Sequence, residues 1–224
     1  MHGWNKPQYL RGNREIFLFC SRERYALVCS LNYRLVSNLV TQRARATPLL
    51  WLTVWKERIF EQRNDFEDAC LARPDQLVPS GRAVTIPADR GFGDHELFKF
   101  LDDLGFSYVI RFRGNIHVTD ATGETRRASE QGGKSGRARK LRNARVTASH
   151  AYQAGAVVCV HAKAMKEPWC LVASDAAAST TKVVNYYAKC WTIEPNFRDT
   201  KDFRFGMGLA PPASANDPAA IACR

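Results

Sequence analysis

From residue 48 onward, apolar positions fall into short runs separated by turn residues. Pro48-Leu49-Leu50-Trp51-Leu52-Thr53-Val54 is apolar without alternation, which predicts a strand covered on both faces. Residues 57–72 predict a charged amphipathic helix with Ile59, Phe60, Phe66, Ala69 and Cys70 on one face. Pro74, Pro79 and Gly81 then turn the chain into a second apolar run over 83–87. Asp94 is placed to cap a helix over 95–104 that packs Leu97, Phe98, Leu101 and Leu104. Gly105 closes that helix, and Ser107-Tyr108-Val109-Ile110-Arg111-Phe112 predicts the next strand. Strand, helix, strand, helix and strand in this order point to an α/β fold with a βαβ-type sheet.

The pattern changes between about 114 and 176. Short strands (Ile116–Thr119, Ala156–Ala162 and Trp169–Ser174) surround a loop rich in glycine, arginine and lysine, which predicts a β-rich insertion rather than more of the same sheet. A helix begins near Thr180. The tail over 210–224 lacks apolar periodicity and is expected to be disordered. Residues 1–39 are arginine-rich, with apolar clusters at Ile16–Cys20 and Ala26–Cys29, and the first aspartate of the chain is Asp65.

Composition narrows the class. A chain of 224 residues, 45% hydrophobic and 25% charged, holds one domain with a sizeable core. The formal charge of +11 favours a polyanionic partner, nucleic acid before anionic membrane. No apolar run approaches the roughly 20 residues needed to span a bilayer. Met1-His2-Gly3-Trp4-Asn5-Lys6 carries no apolar core of a secretory signal. Seven cysteines without a C-x-x-C pair read as reduced thiols of a cytoplasmic protein. Cys159, His161 and Cys170 lack zinc-ligand spacing and read as strand residues.

Candidate chemistry lies at two places. Ala88-Asp89-Arg90-Gly91-Phe92-Gly93-Asp94 sets Asp89 at the carboxyl end of a buried strand, where open α/β sheets place their ligands. Tyr187, Cys190, Glu194 and Lys201 fall within an arc of about 60° if residues 187–201 are helical. The competing reading is an ordinary amphipathic helix with Tyr and Cys inward and Glu and Lys solvated. Pro195 removes the N–H that would bond the Trp191 carbonyl, which predicts a kink. Across Thr125–Arg145, eight basic residues (among them Arg126, Arg127, Arg137, Arg139, Lys140 and Arg142) face the single acid Glu130. Such a loop, made mobile by Gly132, Gly133 and Gly136, would follow a DNA backbone without reading bases. The bland reading is a solvated charge run.

Three ordered segments closely resemble bacterial insertion-sequence transposases of the DDE type: Ala88–Asp94, Tyr108–Asn115, and Trp191–Asp202 with Arg204–Leu209. The group is insertion-sequence family four, with a Y-x2-R-x3-E-x6-K signature, and the resemblance covers residues 40–209. It implies a ribonuclease-H-like mixed sheet flanked by helices, with the β-rich insertion at 114–176 preceding the last catalytic helix. Asp89 matches the second Asp of the catalytic triad and Glu194 its terminal Glu, both as ligands in a two-ion Mg²⁺ site. Tyr187 and Lys201 match residues that contact phosphates of the transposon end. The implied activity is phosphodiester cleavage and strand transfer on double-stranded DNA of transposon ends and target. In-line displacements of this kind use paired divalent cations held by carboxylate oxygens. The implied setting is the bacterial cytoplasm at the nucleoid, with a homodimer or a mixed dimer with an intact transposase.

Two departures bear on activity. The family's first Asp belongs on the first core strand, yet only Glu15 and Glu23 precede Glu57, and the surroundings of Glu23 do not match the family's motif. The signature Arg is Cys190 here, which loses a permanent cation and its bidentate grip on phosphate. An incomplete two-ion site and a decayed gene product, with replaced N-terminal and shortened C-terminal sequence, are therefore expected. The alternative is a catalytically inactive DNA-binding remnant that interferes with an intact transposase. A general RNA-binding protein is the weaker third reading, since no aromatic RNA-binding motif is present.

Overall fold

A computed structural model of the chain describes residues 15–21, 33–42, 45–55, 65, 68–69, 71–73, 83–132, 136–147, 150–163, 165–192, 195 and 204. In chain order its elements are β1 (Glu15–Ser21), β2 (Tyr33–Gln42), β3 (Arg45–Trp55), β4 (Ala83–Ala88), α1 (His95–Asp103), β5 (Ser107–Phe112), β6 (His117–Thr119), β7 (Thr125–Arg127), β8 (Arg139–Arg142), β9 (Arg145–Val146), β10 (Tyr152–Gln153), β11 (Ala156–Val160), β12 (Trp169–Ala173) and α2 (Thr180–Ala188). The chain divides into two compact units. One comprises 1–13, 18–80 and 191–224, the other 14–17 and 81–190.

In the first unit, Leu18–Ser21 of β1 pair antiparallel with β2, and β2 pairs antiparallel with β3 from Tyr33↔Trp55 to Gln42↔Arg45. The register shifts where Leu39 meets Pro48, a residue with no N–H for the ladder. The continuous apolar run that predicts a strand over 48–54 lies inside β3. Of the helix expected over 57–72, residues 65, 68, 69 and 71–72 are helical, and the others lie outside the described residues. The tail at 210–224 also lies outside them.

The second unit carries the later half of the predicted βαβ sheet, β4, α1 and β5, whereas the strand expected at 48–54 pairs antiparallel with β2. Glu15–Phe17 run parallel to Ala83–Thr85, and β4 runs parallel to β5. The result is a mixed sheet flanked by helices. The Asp94 carboxylate accepts the Glu96 N–H at 3.2 Å, as a capping residue should. At the other end of α1, Gly105 sits at φ +68°, the Phe106 N–H bonds the Leu101 carbonyl and the Gly105 N–H bonds that of Asp102. That pair of bonds satisfies carbonyls a helix end otherwise leaves orphaned, and glycine accepts the left-handed turn without a Cβ penalty.

Alternation along β5 assigns the two helices to opposite faces of the sheet. Tyr108 stacks on Phe98 of α1 with ring centroids 5.5 Å apart. Its neighbour Val109 joins Val158, Leu171, Ala173, Val183 and Tyr187 in the cluster beneath α2. Arg111, two residues further on, shares the α2 side. The Ser179 hydroxyl accepts the Lys182 N–H at 3.1 Å and caps α2, close to the expected start at Thr180.

The stretch 114–176 is β-rich as expected, but its strands divide between two sheets. β12 pairs antiparallel with β5, β11 with β12 and β8 with β11, so these three extend the core sheet. Strands β10, β9, β6 and β7, in that order, form a separate antiparallel sheet. The reason is visible in β11, where all five residues are buried. A strand apolar on both faces needs cover on both sides, which the interior of the larger sheet provides. The two sheets are tied through Tyr152 of β10, whose hydroxyl meets that of Tyr108 and donates to the Asp102 carboxylate on α1. Burial and then the Asp102 hydrogen bond push Tyr152 up to about 12.

Replacing Gly105 by Ala is expected to cost about 1–2 kcal/mol in urea unfolding, because alanine must enter a left-handed conformation. Tyr152 has its pKa raised on folding, so its neutral form favours the native state fully below pH 10. That contribution is lost as pH rises from 10 to about 12, and Tyr152→Phe should flatten stability over this interval in an alkaline unfolding series.

Candidate functional site

Five buried residues of β4, Val84–Ala88, carry the chain to the sheet's carboxyl edge, where Asp89 emerges into solvent with its side chain 61% exposed. A single 3₁₀ turn at Arg90–Phe92 follows. The Asp89 carbonyl accepts the Phe92 N–H at 2.9 Å, while its carboxylate makes no capping bond and stays available. The turn lies close against β5: a Cβ on Gly93 would meet the Phe112 Cβ at 3.0 Å and the Arg111 carbonyl oxygen at 3.1 Å. Glycine at 93 is thus what lets the Asp89 turn sit on the end of β5.

Two elements converge on the carboxylate. From α2, the Tyr187 hydroxyl donates to Asp89 Oδ1 at 3.0 Å. From β5, Arg111 Nη1 lies 3.8 Å from the same oxygen, and its Nη2 bonds Glu167 Oε2 at 2.9 Å. Arg90 Nη1 bonds that same Glu167 oxygen at 3.0 Å. Trp169 packs edge-on against Tyr187 with centroids 4.8 Å apart. Burial first, and the Asp89 charge second, raise Tyr187 well above the usual phenol range. Burial and then Asp89 likewise raise Cys190, so this thiol stays protonated and unreactive at neutral pH.

Asp89 and Tyr187 are thus brought together. Glu194, Lys201 and Glu23 lie outside the described residues. The helical stripe expected through 187–201 does not start as one helix, since α2 ends at Ala188 and passes into a 3₁₀ turn at Lys189–Thr192. A 3₁₀ turn advances about 120° per residue, against about 100° in an α-helix.

The basic stretch 125–145 contains two short strands, Thr125–Arg127 and Arg139–Arg142, joined through irregular chain. Arg126 and Arg127 lie on β7, at the edge of the smaller sheet, and Arg139, Lys140 and Arg142 on β8, at the edge of the larger one. Arg126 pairs with Glu124, with its Nε 2.7 Å from Oε1. Arg139 donates to Gln131 at 3.3 Å, and Lys140 donates to the carbonyls of Ala176 (2.8 Å) and Ala178. Arg137 and Arg142 are exposed. Gly133 lies outside the described residues, and Gly136 is held in the left-handed region against the His161 carbonyl.

Sequence reasoning missed Arg111, Arg90 and Glu167. Arg111 carried a usable signal, being a charge inside the otherwise apolar Tyr108–Phe112, since a largely buried charge is almost always paired. Glu167 carried none, because only folding places it beside Asp89. Cys159 and Cys170 are strand residues that face one another across β11 and β12 and are fully buried. Among the described residues no group of three or more His, Cys, Asp or Glu is arranged to hold a metal ion. No helix among them is long and apolar enough to cross a membrane.

The fold and site define an α/β protein with a mixed sheet and a carboxylate presented at the carboxyl end of a central strand. A family model described as "Transposase DDE domain" matches residues 67–208. The chain belongs to the transposase DDE domain family, a family that generally uses a divalent metal ion. Among solved structures it is similar to Marinitoga piezophila Argonaute in complex with 5′ OH guide RNA, at 9% identity and a TM-score of 0.27, over 80% of this chain and 26% of that one. The same Argonaute with guide RNA and target DNA aligns at 10% identity and a TM-score of 0.26, over 79% and 26%. The chain thus spans about a quarter of the length of those Argonaute chains. No curated protein matches it.

Tyr187→Phe removes a hydrogen bond to an ionised group but leaves Asp89 open to water. A loss of about 1 kcal/mol in urea unfolding is expected, at the low end for bonds to charged groups.

Proposed function

We propose that this protein is a DNA transposase of the insertion-sequence group with the Y-x2-R-x3-E-x6-K signature, with impaired phosphodiester chemistry. Its substrate is double-stranded DNA at transposon ends and target, met in the bacterial cytoplasm at the nucleoid. The observation that carries the reading is Asp89 at the end of β4, engaged by Tyr187 at 3.0 Å, inside a matched transposase DDE domain. Tyr187, the first position of the signature, is thereby in contact with the acid proposed as catalytic.

For Mg²⁺, the donor set is only partly suitable. Asp89 offers a hard, solvent-accessible oxygen of the kind such an ion prefers, and Glu194 is the second acid of the proposal. The other carboxylate of the cluster, Glu167, is taken up by Arg90 and Arg111, and the remaining neighbours are a phenol, a thiol and the Arg111 cation, none of which is a hard anionic ligand. The described residues therefore supply one ligand rather than a complete site. When present, the metal would activate the attacking oxygen and stabilise the leaving one.

One observation favours the second reading, a DNA-binding remnant that interferes with an intact relative through transposon ends or mixed dimers. The only carboxylate on β1 is Glu15, and it is level with Ala83, six residues before Asp89. At about 3.3 Å per residue its backbone position is roughly 20 Å before the end of β4 that presents Asp89.

Basic residues on β7 and β8 (Arg126, Arg127, Arg139, Lys140 and Arg142), with Arg137 and Lys201, would bind phosphates without reading sequence. Duplex binding should then weaken about in proportion to a power of salt concentration. Incubation with Mg²⁺ and DNA carrying the ends of its own element separates the two readings. Cleavage or strand-transfer product that disappears in Asp89→Asn supports the enzyme, whereas a shifted band with no product supports the remnant. Cys190→Arg should tighten end binding if position 190 faces phosphate, and unchanged affinity counts against that role.

A further inference from the structure

Arg90 and Arg111 both reach one oxygen of Glu167, at 3.0 and 2.9 Å. Two guanidinium groups repel one another unless an anion lies between them, and convergence on a single anionic oxygen is the way arginines grip a phosphate. We propose that Glu167 is an internal substitute for DNA phosphate: it holds Arg90 and Arg111 together beside Asp89 in the free protein and yields them when a phosphodiester arrives. This rests on the reading of the chain as a DNA-binding transposase and names how its site is kept ready.

The surroundings suit an exchange rather than a permanent bond. Glu167 and Arg90 have side chains 58% and 52% exposed, and ion pairs so exposed are weak. Arg111 is different: its side chain is only 15% exposed and is anchored on β5, so the cation stays in place when its partner changes. Pro168 follows Glu167 directly and leads into β12, which restricts the backbone that carries the carboxylate. Asp89, facing Arg111 Nη1 at 3.8 Å, keeps the guanidinium oriented after Glu167 lets go. The charges of Arg90, Arg111, Asp89 and Glu167 cancel in the free protein. Exchange of Glu167 for a phosphate keeps that balance, while a carboxylate left in place would repel the DNA. Glu167 is therefore a positioning residue that also competes with the ligand.

The test is the affinity of the full chain for a 30-base-pair duplex at fixed salt. Glu167→Gln keeps the shape of the side chain and removes the competing charge, and should bind about three- to tenfold tighter, the range expected for releasing weak ion pairs. Asp103→Asn, an equal change of net charge at the end of α1, should alter affinity less than twofold. In an Arg111→Ala background the gain from Glu167→Gln should vanish. Thermal unfolding of each variant confirms that it is folded. If Glu167→Gln binds as wild type, or gains no more than Asp103→Asn, the proposal is overturned while DNA binding stands. If neither wild type nor Glu167→Gln binds the duplex, both the proposal and the transposase reading fall.

Discussion

The contact on which the site depends is the reach of Tyr187 from α2 across the sheet to Asp89. It exists because α2 packs Val183 and Tyr187, one turn apart, onto the apolar face made by Val109, Val158 and Leu171. That packing is hydrophobic and non-directional, yet it leaves the Tyr187 ring wedged against Trp169 with its hydroxyl aimed at the end of β4. A buried phenol needs a partner, and the carboxylate supplies it. The site geometry is thus a by-product of core packing, and disturbing the core beneath α2 would move it.

The carboxylate lies in an unusual electrostatic setting for an acid meant to bind a divalent ion. A guanidinium already lies on its flank and is itself shared with Glu167. These charges are balanced within one cluster of four residues on β4, the turn after it, β5 and the segment before β12. The same cluster accounts for a strand such as β5 carrying an arginine among buried residues.

Much of the βαβ core was legible. The strands at 83–88 and 107–112, the Asp94 cap, the Gly105 stop and the helix from 180 each have a local cause: an apolar run, a side-chain acceptor for a free N–H, or a residue tolerant of positive φ. The match to the transposase DDE domain family agrees with the resemblance carried by the three ordered segments. The placement of the later strands was not legible. Ala156–Val160 and Trp169–Ala173 look the same in sequence whether they join the first sheet or build another, since an apolar run states that two faces are covered but not by what. The short strand in the basic stretch was not legible either, because the high charge density of Arg139–Arg142 hid the one buried position, Leu141.

Alone, the sequence determined the local elements and the presence of an acid at a strand end, because capping, turn formation and periodic burial act over a few residues. Only the tertiary structure decided what stands beside that acid. Glu167 is 78 residues from Asp89 and Tyr187 is 98, and no short-range pattern encodes a meeting produced by sheet order and helix packing.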